Sequence, residues 1–372
     1  MDEIFSTPIK KSVTFEVIVS RDYRCVGAKA EKDMEQTFET IVKAVMIGHA
    51  VGDALGVPFE FNTRDELEEN PVKEMCGYGT FPMPAGSWSD DTSMALCTLE
   101  SLTKGFVDYD DIMLNFGRWY YKDEFTPTGE MFDAGNTCTY AIDNYFVHKK
   151  PTNLCGLRNA SANGNGSLMR IHPMALYLYQ REDLTLDEKL SIIHYTSALT
   201  HAHERSKTAC GIYAFVLWSI LDEKDKFRGV RRGLSKARKY YRNKSEELAV
   251  FDNLFRRIGL IDWHYEDPDT FKPASGEDIK SGGYVVDTIE AAMFCLLKSN
   301  SYKDCVLKAV NLGDDTDTVA AVAGGLAGAL YGYESIPQEW RDTLIKRDYI
   351  EELCAKASAC WEKHKHQPAN DK

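Results

Sequence analysis

The 372-residue chain carries 57 Asp and Glu against 44 Lys and Arg, a formal net charge of −13, which argues against a nucleic-acid binder because phosphate neutralisation needs an excess of cations. With 44% hydrophobic and 11% aromatic residues it has the material for a substantial core, unlike a disordered chain. No run approaches the ~18 uninterrupted apolar residues of a membrane span, so neither nucleic acid nor membrane is an expected partner.

Residues 1–35 read as an N-terminal extension. Val13, Phe15, Val17 and Val19 alternate with Thr14, Glu16 and Ser20, the period-two pattern of a half-buried β-strand. The chain opens Met-Asp-Glu without a basic, apolar leader, and its ten cysteines show no C-x-x-C or zinc-like spacing. Reduced thiols in a cytoplasmic protein are the expectation.

From residue 35 the period changes. Phe38, Ile41, Val42 and Val45 fall at i, i+3, i+4 and i+7, the stripe of an amphipathic helix. Further helical patterns run over 91–103, 110–121, 136–147, 168–179, 186–200, 204–221, 285–297, 302–310, 318–331 and 349–362. The fold class is therefore all-α: one compact helical domain over 36–365, a short extension with a strand before it, and a tail at 366–372. The basic run 224–244 reads as a solvated helix face. The Asp-, Pro- and Gly-rich stretch 261–283 reads as a surface loop within the domain.

Four motifs carry chemistry. Gly48-His49-Ala50-Val51-Gly52-Asp53-Ala54-Leu55-Gly56-Val57-Pro58-Phe59-Glu60 reads locally as a helix C-cap and turn, yet it sets Asp53 and Glu60 close in sequence. Gly86-Ser87-Trp88-Ser89-Asp90-Asp91-Thr92 reads as a cap, with acids beside the positive end of a helix dipole. Gly313-Asp314-Asp315-Thr316-Asp317-Thr318 exceeds what capping requires, since three carboxylates within four residues repel unless cations or donors compensate. Both acidic motifs pair Asp with Ser or Thr, the oxygen ligands of a hard cation. Asn163-Gly164-Asn165-Gly166-Ser167-Leu168-Met169-Arg170 is a glycine-rich loop before a helical pattern and suits a phosphate or pyrophosphate. Two further segments are Phe132-Asp133-Ala134-Gly135-Asn136-Thr137 and Leu199-Thr200-His201-Ala202-His203. Histidines at i and i+2 do not share a helix face, which disfavours a His-ligated zinc and leaves His201 as a candidate substrate contact.

In this order, G-D-A-L-G with a following Glu, S-D-D-T, F-D-x-G-x-T, G-N-G-S-x-M-R, L-T-H and D-x-D-T-x-A-A resemble the ADP-ribosylglycohydrolase family over about residues 44–333. The resemblance implies an all-α fold with two Mg²⁺ or Mn²⁺ ions in a central cleft. Ser89, Asp90 and Asp91 would ligate from one side, and Asp315, Asp317 and Thr318 from the other. By the same resemblance Glu60, Asp91, Asp133 and Asp315 are candidate catalytic carboxylates. Asn163, Gly164, Asn165, Gly166 and Ser167 would cradle a diphosphate, with Met169, Asn136 and His201 completing the ADP-ribose site. Many members carry Thr where this chain has Ser89, but either hydroxyl can ligate; Asp314 is an additional acid just outside the ligand set. F-D-x-G-N-T resembles members acting on ADP-ribosyl-arginine, with ADP-ribosyl-serine and O-acetyl-ADP-ribose as alternatives. The resemblance also allows an immunity protein whose residues 1–35 bind an ADP-ribosyltransferase toxin. An inactive structural relative is disfavoured by two intact acidic clusters.

Overall fold

The computed structural model describes residues 37–255 and 279–364. The expected strand and partner arm of 1–35, most of the 261–283 loop and the 366–372 tail lie outside the described residues. Those residues are predominantly helical, and their β structure consists of two isolated bridges, Leu157 with His201 and Gly164 with Tyr284.

In chain order the helices are α1 (Phe38–Gly56), α2 (Arg64–Glu69), α3 (Asp90–Leu102), α4 (Tyr109–Lys122), α5 (Asn136–Phe146), α6 (His172–Tyr179), α7 (Leu186–Ala198), α8 (Glu204–Glu223), α9 (Lys226–Tyr241) and the single turn α10 (Asp252–Leu254). After the undescribed stretch come α11 (Val285–Leu297), α12 (Tyr302–Val310), α13 (Thr316–Tyr331), α14 (Gln338–Thr343) and α15 (Arg347–His364). Helix α1 is the axis of the fold. Thr37 caps its first turn through Thr40 N, and beyond that turn nearly every residue is buried, as a helix that is apolar all round requires. Residues 38–59 are long and apolar enough to cross a membrane, but 83% of that window is buried inside the protein, which marks a core helix.

Helix α1 runs along α13, and α11, α12, α15 and α3 pack around the pair. The glycines of the first motif make this contact. The helix does end in this motif, at Gly56 with Val57 as its C-cap and a turn after it, while Gly48 and Gly52 lie inside the helix. A Cβ at Gly52 would fall on the Ala320 carbonyl, and one at Gly56 on the Asp317 backbone. Without side chains at these positions, the last turns of α1 lie directly against the first turns of α13, and Asp53 is carried to the ends of both α3 and α13.

Trp88, one residue before the cap of α3, is fully buried and donates from Nε1 to the Ile345 carbonyl at 3.0 Å. Burying such a side chain stabilises the fold by roughly 3 kcal/mol and pins the entry to α3 just ahead of its acids. Helix α6 begins at His172, four residues later than the apolar period suggests, with Pro173 in its first turn. Proline favours that position because its missing N–H has no partner to lose there. Residues 168–171 instead remain a turn that closes the glycine-rich loop.

Candidate active site where three helix ends meet

The C-terminal end of α1 and the N-termini of α3 and α13 converge, and each contributes carboxylates. Asp53 Oδ1 accepts from Ser89 N at 2.9 Å, while its Oδ2 accepts from Thr92 N at 3.1 Å and Thr92 Oγ1 at 2.6 Å. A residue of α1 thus caps α3 in trans, a role the sequence did not reveal. Ser89 caps locally, accepting from Asp91 N at 3.3 Å and donating to Asp91 Oδ2 at 3.2 Å.

The two acidic motifs meet through Thr318 Oγ1, which donates to Asp91 Oδ2 at 3.2 Å. Asp90 Oδ2 accepts from Gly135 N at 3.2 Å, which brings the segment after Asp133 to α3. Ligand atoms of Glu60, Asp133 and Asp317 all lie within 4.8 Å of one another. Asp315 Oδ2 accepts from Asn165 Nδ2 at 2.7 Å, so the glycine-rich loop closes onto the cluster. Asp314 is exposed, takes the left-handed φ of 61°, and accepts from Ser281 Oγ at 3.3 Å. It faces away from the cluster.

Asp53, Glu60, Asp90, Asp91, Asp133, Asp315 and Asp317 form no ion pair with a described Lys or Arg. Burial, then the neighbouring Asp133, Asp315, Asp90 and Asp53, push Glu60 up to about 9. Burial likewise holds Asp90, Asp91 and Asp317 well above the carboxylate range, with the other acids of the cluster adding to it. Asp133 is raised mainly by burial. Asp53 is raised only to about 6, because its hydrogen bonds from Thr92 and Ser89 oppose the burial. Glu60 Oε2 and Asp91 Oδ1 are buried and have no hydrogen-bond partner. The positive ends of α3 and α13 offset part of this repulsion, at roughly 0.3–1 kcal/mol per charge, too little for so many acids. A hard divalent cation, which takes carboxylate and hydroxyl oxygens, fits the donor set and would satisfy the orphaned oxygens.

The loop 163–167 is fixed by Asn165 N donating to the Gly283 carbonyl and Val285 N to the Asn163 carbonyl. Asn163, Ser167 and Met169 turn inward: Asn163 Oδ1 accepts from Ser206 Oγ, Ser167 Oγ accepts from Ser197 Oγ, and Met169 joins the core. Gly164, Asn165 and Gly166 remain beside His201 and Asp315. At Gly166 a Cβ would stand 2.9 Å from both His201 Cε1 and Cys138 Sγ, so glycine is required for the close approach. Burial pushes His201 down to about 3, with Arg170 adding to it, and the ring is neutral. Arg170 donates to Thr200 Oγ1 at 2.7 Å, and that hydroxyl lies 2.8 Å from His201 Nδ1. A threonine proton donated to Nδ1 leaves the ring hydrogen on Nε2, aimed at the loop. Asn136 is exposed at the first turn of α5. His203 caps α8 through Arg205 N and does not share a site with His201.

The family model for ADP-ribosylglycohydrolase matches residues 34–368. The chain is 33% identical over 312 residues to the ADP-ribosylarginine hydrolase Tri1 of Serratia proteamaculans, covering 84% of this chain and 77% of that protein. It is 31% identical over 304 residues to the ADP-ribosyl-[dinitrogen reductase] glycohydrolase of Rhodospirillum rubrum, covering 80% and 88%. A solved ADP-ribosylglycohydrolase-related protein complex superposes with a TM-score of 0.67 at 28% identity, covering 87% of this chain and 99% of that one. An all-helical domain with acids at three converging helix ends, matched over nearly its whole length, belongs to the ADP-ribosylglycohydrolase family.

Proposed function

We propose that the chain hydrolyses the N-glycosidic bond between ADP-ribose and an arginine side chain of a modified protein. The observation that carries this reading is the closeness of Asp133 to Glu60 and Asp317. The guanidine leaving from arginine is strongly basic and departs as guanidinium, a planar cation that a carboxylate grips through paired hydrogen bonds. A departing serine hydroxyl offers Asp133 no such partner. The Serratia relative named above is an arginine-linkage hydrolase, which supports the same choice.

In this reading Ser89, Asp90 and Asp91 on one side and Asp315, Asp317 and Thr318 on the other hold two Mg²⁺ or Mn²⁺ ions. When bound, such ions supply Lewis acidity and neutralise the cluster. The chain does the rest. Gly164, Asn165 and Gly166 admit the diphosphate to the loop backbone, and His201 donates to it from Nε2. With the charge of its neighbours neutralised, Glu60, whose Oε2 has no partner, ionises, takes the proton that the attacking water loses and passes it to the guanidine nitrogen as the C–N bond breaks. Asp133 holds the guanidinium as it leaves. Release of ADP-ribose from arginine-linked substrate should exceed release from serine-linked substrate by at least about tenfold in kcat/KM. Equal or faster serine turnover would overturn the linkage.

Residues 1–35 are proposed as an arm that binds an ADP-ribosyltransferase toxin in the cytoplasm by adding a strand to the toxin's sheet edge. The proposal rests on the alternation from Val13 to Val19. Deleting residues 1–30 should abolish toxin capture while hydrolysis by the 36–365 domain stays within about twofold. Unchanged capture removes the arm.

A further inference from the structure

Phe61 and Tyr78 are large aromatics held in the open, 71% and 74% exposed. Each has a left-handed backbone, with φ of 68° and 60°, a conformation that costs L side chains free energy and that Asn or Gly adopts more readily. A turn alone would be better served by those residues, and an exposed position by a polar one. Neither local geometry nor burial accounts for an aromatic at either place. A cost met twice in the same region points outward, to something these rings contact.

Their attachment shows where they stand. Phe61 directly follows Glu60, and its N–H donates to the Asp314 carbonyl at 2.7 Å. Tyr78 begins a segment that bridges two members of the acidic triad. Thr80 N donates to the Pro58 carbonyl at 2.8 Å, and Thr80 Oγ1 donates to the Glu60 carbonyl at 2.6 Å. One residue on, the Phe81 ring lies 5.1 Å from the ring of Phe132, the neighbour of Asp133. The Tyr78 turn is closed by its own N–H donating to the Met83 carbonyl at 2.7 Å, and a Cβ at Gly79 would strike the Pro58 carbonyl. The two exposed rings are therefore carried by segments tied to Glu60 and to the neighbour of Asp133, and they stand outside the buried cluster.

We propose that Phe61 and Tyr78 form a docking rim for the polypeptide that carries the ADP-ribosyl side chain, a reading that rests on the hydrolase function given above. With the anomeric carbon at the acidic cluster, the modified side chain leads its backbone outward past Glu60 and Asp133. Phe61 and Tyr78 are exposed aromatics tied to that stretch of backbone. Exposed aromatics offer a face for stacking on peptide planes and on neighbouring guanidinium or aromatic groups, at little entropic cost. The rim selects protein-borne substrate and contributes nothing to bond cleavage.

The test is the double variant F61N/Y78N, because asparagine accepts the left-handed backbone and the fold should be kept. Its thermal midpoint should equal or exceed that of the parent. Its kcat/KM should fall at least about tenfold on an ADP-ribosylated protein, mostly through KM, and stay within about twofold on free ADP-ribosyl-arginine. Equal losses on both substrates, or no loss on the protein, would overturn the rim. A parent chain that turns over neither substrate would overturn the hydrolase reading itself, so the two failures are told apart by the parent's own activity.

Discussion

Replacing Asp317 with Asn should lower ADP-ribose release on the order of a thousandfold, about 4 kcal/mol at the barrier, while making the chelated protein more stable. Both effects come from the same carboxylate. Asp317 is buried, held well above its usual pKa by that burial and by Glu60, Asp91, Asp315 and Asp53. Against this, its place in the first turn of α13 gains roughly 0.3–1 kcal/mol from the helix dipole, and its Oδ1 accepts from Thr318 N at 2.8 Å. Asparagine keeps that hydrogen bond and removes the cost of either burying a charge or taking up a proton to avoid it, so the cation-free fold should gain about 1–3 kcal/mol near neutral pH. The stabilisation that added Mg²⁺ or Mn²⁺ gives the parent should shrink in the variant, since binding to the native state is what raises the midpoint. Calorimetry with chelator and with cation, beside an ADP-ribose assay, separates the effects. Parent-like activity, or a chelated variant less stable than the parent, would remove Asp317 from the cation site.

The second large effect is a loss of stability with rising pH in the chelated protein, opposite to the usual behaviour of carboxylates. Glu60 holds its proton up to about 9 in the fold and to about 4.5 in the unfolded chain. Asp90, Asp91 and Asp317 shift in the same direction. Between the two pKa values the native state binds more protons than the unfolded one, so stability falls as pH rises, at roughly 1.4 kcal/mol per unit for each such group. The buried histidines act in the other direction. His49, His172, His194 and His201 are all pushed down; the unfolded chain binds these protons around 6.5 and below, so stability rises with pH until they are lost, by about pH 7.5. Asp53, raised to about 6, has finished titrating by then. From about pH 7.5 to 8.5 the raised acids dominate, so the chelated protein should lose stability steadily across that window. Cation binding requires ionised ligands, so the gap between cation-loaded and chelated midpoints should widen over the same range. A chelated midpoint that holds level or climbs from pH 7.5 to 8.5 would contradict the buried, unpaired state of the cluster.

The acidic helix starts are legible in the sequence because capping residues, charge and apolar periodicity are local signals. Ser89 does cap α3, and the Asp-Thr-Asp run does open α13. The partners across the fold are not legible in this way. Asp53 caps α3 from 36 residues away, and Asn165 reaches Asp315 across 150 residues; no period or spacing encodes such pairs. The glycines of the first motif show the same limit. In sequence they resemble a helix end, and only the presence of α13 against them shows that they permit a close helix contact. Of the glycine-rich loop, the pattern identifies the place, while the division between inward side chains such as Asn163 and Ser167 and the cleft-facing Gly164 and Gly166 depends on α8 and on the turn before α6. Thr200 and Arg170, which set the His201 ring, give no local sign of that role.

The most direct measurement is the release of ADP-ribose from an ADP-ribosyl-arginine substrate by the full chain, first with Mg²⁺ or Mn²⁺, then after chelation, then after restoring the cation. Release that disappears on chelation and returns with the cation is the result expected of a hydrolase built on these carboxylates. Release unaffected by thorough chelation would leave the acidic cluster without its cation role, and no release under any of the three conditions would contradict the hydrolase reading.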